Sequence, residues 1–232
     1  MVIEIISGIC CFVFLAFDHY FLNNPVSECT FDIALLFKML ASTCFVISGL
    51  FAFRKARNTT PEFKKVASLI FCGLILGFTA DLFLEINFYA GFLVFVAAHI
   101  FYYLAFSVYS RMNLKKWIFI LLFVATFAVL DFFAPWFDFK GLFPFIVIYS
   151  AVWAFVFVKS IDSLKWKSAY SKTMVLGIVA FGISDILLQF KFFPEENFSA
   201  VTASLIFLIS NSFYYLGQLL IAHSIGKDYI EK

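Results

Sequence analysis

Charged residues are scarce in this chain: Asp, Glu, Lys and Arg make up only 14% of its 232 residues. A soluble domain carries about 25% charged residues, because its surface must be hydrated. Hydrophobic residues reach 63%, and phenylalanine alone contributes 36 positions. This composition excludes a soluble globular domain and predicts an integral membrane protein whose surface faces lipid chains.

Side chains that bind metals or form disulfides are also few. No two of the three histidines have the spacing of a helical metal-binding pair. The cysteines lie mostly in apolar runs, where cysteine behaves as a small hydrophobe. They are Cys10, Cys11, Cys29, Cys44 and Cys72. We expect no metal, no organic cofactor and no disulfide framework. Phosphate loops, nucleophile elbows and nucleotide fingerprints do not occur in the sequence, and no nucleic-acid partner is expected.

Long apolar runs fill almost the whole chain. A helix needs about 20 apolar residues to cross the ~30 Å hydrocarbon core. Eight runs qualify, at about 2–22, 31–53, 66–86, 89–110, 117–134, 142–159, 173–193 and 199–224. The first lacks a basic leader and a cleavage site, so we expect a retained span rather than a signal peptide. The sequence predicts an all-α membrane protein of eight transmembrane helices in a single domain, 1–232.

Basic residues are distributed very unevenly between the loops. Four segments hold 14 of the 17 lysines and arginines. They are 54–65, 111–116, 159–172 and the tail after Ile225. The other loops hold only Lys140 and Lys191. Basic loops stay on the cytoplasmic side of a membrane, so we expect both termini in the cytoplasm, with the protein in the inner membrane if it is bacterial.

The two halves of the chain resemble each other. Asp81 in the third predicted span matches Asp185 in the seventh, and each follows a glycine at the same distance. The segment 101–104 (FYYL) in the fourth span recurs as 213–216 in the eighth. A repeat of four spans keeps its orientation in the membrane, which implies a pseudo-two-fold axis along the membrane normal. The pattern predicts two parallel four-helix repeats, about 1–112 and 113–232.

Ionisable side chains inside apolar spans are the strongest functional signal. A charge in hydrocarbon costs at least ~2.5–3.5 kcal/mol on insertion scales, so such residues normally face the bundle interior and mark a site. At ~1.5 Å per helical residue, Asp81 and Asp185 lie about 18–22 Å from the basic side. Lys38 and His99 reach a similar depth from the opposite side. Together they predict one polar pocket in the half of the membrane away from the basic loops.

Polar and aromatic neighbours accompany these charges at helical spacing. The candidate catalytic residues are Asp81 and Asp185. The candidate substrate-binding or supporting residues are Lys38, His99, Tyr103, Asn211, Tyr215 and Gln218. In the structural alternative, each aspartate bonds Lys38 or a tyrosine, and His99 is a packed polar side chain. Asp18 and Asp131, near span ends, are expected at the wet interface.

The motifs of the chain occur in a characteristic order. They are Lys38, 80–84 (ADLFL), 91–103, 182–185 (GISD) and 215–218 (YLGQ) with Ser224. In this order and spacing the chain resembles the YhhN-like family of eight-span membrane proteins, whose animal members include lysoplasmalogenase. It departs from the family at Met39, where proline is frequent, and at Ala80, where glycine is frequent. Both departures leave the charged residue in place.

The resemblance implies an activity: cleavage of the vinyl ether bond of a lysoplasmalogen, a lysophospholipid, giving a fatty aldehyde and a glycerophospho-head group. An acid must protonate the vinyl carbon and a base must deliver water to the resulting cation. Two carboxylates can divide these roles, as in glycoside hydrolysis, and which aspartate is the acid stays open. The alternatives are a proton-coupled transporter, which parallel repeats with mid-membrane charges also fit, and a non-catalytic lipid-binding protein.

The charge pattern makes a topological prediction. Reporter domains fused after residues 60, 113, 166 and 232 should all report the cytoplasm, because each fusion point lies in or beside a basic segment. A fusion after residue 113 that reports the opposite side would contradict both the eight-span count and the parallel repeat.

Overall fold

The computed structural model describes residues 2–23, 30–133, 142–166, 169–192 and 200–226. These residues form eight α-helices and a 3₁₀ turn (Leu164–Trp166), and they contain no strand. The helices are α1 (Val2–Asn23), α2 (Thr30–Ala56), α3 (Pro61–Ile86), α4 (Phe88–Ser107), α5 (Leu114–Phe133), α6 (Phe143–Ser163), α7 (Ala169–Phe192) and α8 (Ala200–Ser224). The predicted all-α architecture is confirmed.

The helices coincide with the predicted spans and differ from them mainly at the basic ends. α3 begins at Pro61 rather than at 66, and α6 ends at Ser163 rather than at 159. Polar residues can continue a helix into the head-group region, where the apolar pattern has already stopped. Seven of the described helices are long and apolar enough to cross a membrane, and the apolar stretch of α1, Ile5–Tyr20, is shorter. The length and composition of these helices indicate a multi-pass membrane protein.

A single residue connects α3 to α4. Asn87 has an extended backbone and donates its N–H to the carbonyl oxygen of Phe83 at 2.7 Å. Its side-chain oxygen accepts the N–H of Ala90 at 3.0 Å. Asn87 therefore ends one helix and caps the next, and this short connection returns α4 antiparallel along α3.

Glycines let the paired helices approach closely. A Cβ at Gly91 in α4 would lie 2.5 Å from the backbone nitrogen of Leu84 in α3. One at Gly217 in α8 would lie 2.9 Å from the carbonyl oxygen of Gly177 in α7. Lipid tails are as apolar as the protein core, so association between membrane helices depends on such close packing. The α3–α4 and α7–α8 pairs have the most extensive contacts of the described helices.

The remaining contacts surround a core between α2, α3, α4, α7 and α8. α1 packs on α2 and α2 on α3, while α5 packs on α6 and α6 on α7. Across the two halves, α2 contacts α8 and α6 contacts α4. α5 is the most exposed of the long helices, and side chains such as Leu121 and Phe132 point outward. The polar residues of the predicted site therefore lie on the better enclosed helices.

Close packing at Gly91 can be tested by adding one methyl group. In Gly91→Ala the new carbon meets backbone atoms, which cannot rotate away, so we expect a loss of about 1–3 kcal/mol of stability, as for an overpacked core. The measurement is the melting temperature in detergent. Gly8→Ala is the matched control, since no described atom lies within 4 Å of its added carbon and alanine favours helix. Unchanged melting of Gly91→Ala would contradict the close approach.

Candidate functional site

A cavity lies in the half of the bundle away from the basic segments, with walls from α2 to α8. Its volume is about 140 Å³, well above the ~10–15 Å³ that one water needs on the same measure. Its polar lining residues are Lys38, Asp81, Glu85, Tyr149, Ser150, Ser184, Asp185, Gln189, Asn211 and Tyr214. Its aromatic hydrocarbon surface comes from Phe88, Phe92, Phe95, Phe123, Phe127, Trp153 and Phe207.

Asp81 is the most enclosed carboxyl group on the cavity wall. The residue is 3% exposed, and its Oδ2 accepts hydrogen bonds from Ser42 Oγ at 2.6 Å and from Tyr214 OH at 3.0 Å. Ser42 lies in α2 and Tyr214 in α8, so three helices meet at this carboxyl group. The two hydroxyl donors replace hydrogen bonds that water would supply outside the membrane.

A chain of hydrogen bonds extends from Asp81 toward the basic end of the bundle. Tyr102 OH donates to Gln218 Oε1 at 2.9 Å, and Gln218 Nε2 donates to Tyr214 OH at 3.3 Å. Each donor in this chain is oriented toward Asp81, so successive bonds polarise one another in the same direction. The chain connects α4 and α8 to the carboxyl group on α3.

Two glycines of α3 provide the space for this chain. A Cβ at Gly77 would lie 2.9 Å from Gln218 Nε2, and one at Gly73 would overlap the ring of Tyr102. Gly73, Gly77 and Asp81 recur at intervals of four residues and therefore share a helix face. Between Asp81 and the basic end of α3, this face carries no side chains at Gly73 and Gly77. Polar groups from α4 and α8 can therefore pack against the helix close to the Asp81 carboxyl group.

Lys38 and Glu85 form an ion pair at the end of the cavity nearest the α3–α4 connection. The ammonium contacts Glu85 Oε1, and the two side chains are 12% and 22% exposed. Glu85 lies one turn beyond Asp81, and Lys38 also interacts electrostatically with Asp81 and Asp18. Tyr215 OH donates to the carbonyl oxygen of Lys38 at 3.2 Å. The pair places a positive and a negative group side by side. We term these two residues, Lys38 and Glu85, the polar mouth.

Asp185 has a different environment on α7. Its Oδ2 accepts a hydrogen bond from Tyr149 OH, in α6, at 2.9 Å. His99 packs edge-on against Tyr149, with ring centroids 5.3 Å apart. Within the described part of the chain, no lysine or arginine forms an ion pair with Asp185. The two aspartates therefore differ in their surroundings: two hydroxyl donors and a nearby cation for Asp81, one phenol for Asp185.

Four of the sequence-predicted residues lie on the cavity wall: Lys38, Asp81, Asp185 and Asn211. Asn211 is 9% exposed. The structure brings these side chains from α2, α3, α7 and α8 to one space, although they are separated by up to 173 positions in the chain.

The other predicted residues stand behind the wall or away from it. Gln218 and Tyr215 hydrogen-bond to lining residues, and His99 is buried behind Tyr149 with its Nδ1 2.9 Å from the carbonyl oxygen of Phe95. Tyr103 lies elsewhere, packed on Phe155 toward the basic end. Adjacent helical residues point about 100° apart, and it is Tyr102, not Tyr103, that joins the hydrogen bonds of the site.

Sequence reasoning missed Ser42, Glu85, Tyr149 and Tyr214 as members of the site. Ser42 and Glu85 each lie one helical turn from a residue that was identified, Lys38 and Asp81 respectively, so the four-residue spacing was an available signal. Tyr214 lies three residues after Asn211 and four before Gln218, so the same spacing was available for it. Tyr149 carried no such signal, because tyrosine in an aromatic-rich span is ordinarily packing material. Its role became visible only through its hydroxyl partner.

Asp18 and Asp131 do not fit the solvated interface expected for them. They are 2% and 7% exposed and lie against neighbouring helices. Neither lines the cavity. Asp131 thus provides a buried carboxyl group outside the site.

The arrangement is suited to acid–base chemistry on an amphiphile. The carboxyl groups of Asp81 and Asp185 line the same cavity as the Lys38–Glu85 ion pair and several aromatic rings. Among the described residues there is no group of three His, Cys, Asp or Glu side chains that could hold a metal ion. Fold and cavity define the class as a multi-pass α-helical membrane protein with a buried acidic cavity.

Comparison with known families makes the assignment more specific. The model of the YhhN family matches residues 33–225. The chain belongs to the YhhN family, as its motifs predicted. No match was found among curated proteins or among solved structures.

The ion pair of the polar mouth can be tested by a double-mutant cycle. Lys38→Met and Glu85→Gln should each destabilise the protein, because each leaves a mostly buried charge without its partner. The double variant should lose less than the sum of the two, by about 0.5–3 kcal/mol, the usual range for residues in contact. Unfolding of the four proteins in detergent measures this coupling. Additive losses would show that the two charges do not interact.

Proposed function

We propose that this protein hydrolyses the vinyl ether bond of a single-chain plasmalogen, releasing a fatty aldehyde and a glycerophospho-head group. The observation that carries the proposal is that Asp81 and Asp185 line one cavity together with the Lys38–Glu85 ion pair and several aromatic rings. The YhhN family supports it, because the motifs of this chain resemble those of a family with lysoplasmalogenases among its animal members.

The proposal includes a membrane arrangement of eight spans in two parallel halves, about 1–112 and 113–232, with the basic segments and both termini in the cytoplasm. α1 has 22 residues, which at ~1.5 Å per residue is long enough for a ~30 Å core. The matched contacts of α2 with α8 and of α6 with α4 support the repeat. The cavity then lies in the non-cytoplasmic half of the membrane.

The cavity offers side chains suited to each part of a lysophospholipid. Glu85 is the second-to-last residue of α3, so the polar mouth lies nearest the membrane surface. Asp81 is one turn deeper, and Phe95 and Trp153 lie about 10–15 Å inside the ends of their helices at ~1.5 Å per residue. A head-group phosphate would meet Lys38, the vinyl ether would lie level with the aspartates, and the chain would continue among the rings.

The reaction balances with one water and no redox step. A carboxylic acid protonates the β-carbon of the vinyl ether; the C=C electron pair forms the new C–H bond, which leaves an oxocarbenium ion. The other carboxylate takes a proton from water as the water oxygen bonds to the cationic carbon, giving a hemiacetal. The hemiacetal C–O bond to glycerol then breaks: Asp81 gives its proton to the glycerol oxygen, Asp185 takes the hemiacetal hydroxyl proton, and the aldehyde leaves with both aspartates back in their starting states.

We assign the acid role to Asp185 and the base role to Asp81. Asp81 accepts two hydroxyl hydrogen bonds, and Lys38 interacts with it electrostatically. Donors and a nearby cation stabilise a carboxylate, which can also stabilise the oxocarbenium ion. Asp185 accepts a hydrogen bond from Tyr149 on Oδ2, and its Oδ1 would carry the proton that is transferred to carbon.

Removing either aspartate should stop the reaction without unfolding the protein. Asp81→Asn and Asp185→Asn keep size and polarity but cannot exchange a proton, and each role is worth about 10²–10⁴-fold in rate. The measurement is single-turnover aldehyde release from a lysoplasmalogen by purified protein, with melting temperatures from the same preparations. Asp131→Asn, a buried carboxyl outside the cavity, is the matched control and should keep the wild-type rate.

Deuterium exchange separates the two roles. In D₂O, Asp81→Asn should place deuterium on the vinyl β-carbon of intact substrate, because Asp185 still protonates carbon, and Asp185→Asn should not. The reverse pattern would exchange the assignments. A stable Asn variant that cleaves at the wild-type rate would remove that aspartate from the mechanism. If the wild-type protein binds lysoplasmalogen but releases no aldehyde, it is a lipid-binding protein and not a hydrolase.

A further inference from the structure

A second charged cluster lies at the opposite end of the bundle from the cavity, where α4 ends, α5 begins and α6 ends. Three ammonium groups lie there around one carboxylate, and two of them contact it. We term these four residues the basic corner: Lys116, Lys159, Asp162 and Lys165. The proposed hydrolysis uses none of them.

Asp162 is the centre of the basic corner. Its Oδ2 accepts from Lys116 Nζ at 2.6 Å and its Oδ1 from Lys165 Nζ at 2.5 Å, and the Ser110 hydroxyl also donates to it. Lys116 Nζ further donates to Ser110 Oγ at 2.9 Å and to the carbonyl oxygen of Arg111 at 2.6 Å. These bonds tie the turn between α4 and α5 to the end of α6.

Lys159 contributes positive charge that this network does not balance. It is 1% exposed; its ammonium donates to the Ser110 carbonyl oxygen and lies 5.6 Å from the centroid of the Tyr103 ring. Both partners are neutral, and in the described part of the chain no carboxylate lies within ion-pair distance of Lys159. One carboxylate for three ammonium groups leaves two positive charges in excess. An anion arriving from outside would offset this buried charge.

An exposed apolar face adjoins the basic corner. Leu114, Trp117, Ile118 and Leu121 in the first two turns of α5 are between 46% and 74% exposed. Tryptophan is typical of the boundary between head groups and hydrocarbon. A cationic group above such a face is complementary to a molecule with an anionic head and apolar chains.

We propose that the basic corner binds the phosphate of an anionic membrane phospholipid whose chains lie along α5. Lysines at a membrane surface attract anionic lipids. Lys165, whose side chain is 77% exposed, contacts the phosphate, and the enclosed ammonium groups of Lys116 and Lys159 add to the attractive field. A zwitterionic lipid brings its own cation and offers no net charge, so the site discriminates by head-group charge.

The test uses the full-length protein in phosphatidylcholine nanodiscs with and without phosphatidylglycerol. Phosphatidylglycerol should raise the melting temperature of the wild type and be retained by it in native mass spectrometry. Each lysine removed in Lys159→Met and Lys165→Gln should weaken retention about fivefold. Lys64→Gln and Lys65→Gln, at two exposed lysines near the start of α3, are the matched controls; singly or together they lose the same charge as the corresponding single or combined variants, and they should retain the lipid.

Several outcomes would overturn the proposal. Equal retention of both lipids by the wild type would show that there is no charge-selective site. An equal loss in the Lys64/Lys65 control would reduce the effect to general surface charge. Inorganic phosphate that reproduces the full stabilisation in phosphatidylcholine alone would remove the lipid from the assignment. Lys165→Gln alone keeps the test decisive if Lys159→Met does not fold, because Lys165 is exposed and its loss should still weaken retention.

Discussion

A carboxyl group inside a bilayer depends on hydrogen-bond donors that the protein supplies or encloses, because hydrocarbon offers none. Asp81 shows the consequence, since hydroxyls from α2 and α8 converge on one of its oxygens. This requirement sets the positions of three helices relative to one another. Apolar packing alone would specify those positions weakly, because lipid tails solvate a phenylalanine face about as well as another helix does.

The polar contacts are possible only where the helices approach closely. Gly73 and Gly77 leave space beside α3 for Tyr102 and Gln218, which complete the hydrogen bonds around Tyr214. Glycine is costly in an isolated helix, but here its missing side chain admits groups that satisfy a buried carboxyl. Packing and electrostatics are therefore coupled along one face of one helix.

Charge is divided between the two ends of the bundle. One half holds the cavity, whose described lining residues include three carboxyl groups and one ammonium, that of Lys38. The other end holds the basic corner, where ammonium groups exceed the one carboxylate of Asp162. The position of the basic end agrees with the rule that cationic loops stay in the cytoplasm. The cavity lies within the helices at the other end, where that rule does not constrain which residues occur. Site and orientation signal are thus separated along the helices.

The sequence by itself determined the helices, their limits to within about five residues and three of the four charged residues that line the cavity, Lys38, Asp81 and Asp185. Apolar runs and the cost of charge in hydrocarbon are local properties, so they can be read from the sequence. It could not determine partners. Only the tertiary structure decided that Lys38 pairs with Glu85 and that Tyr149 donates a hydrogen bond to Asp185. It also decided that Tyr102, rather than its neighbour Tyr103, joins the hydrogen bonds of the site. Partners depend on how each helix is rotated and which helices meet, and in a chain this uniformly apolar, hydrophobic patterning leaves both open.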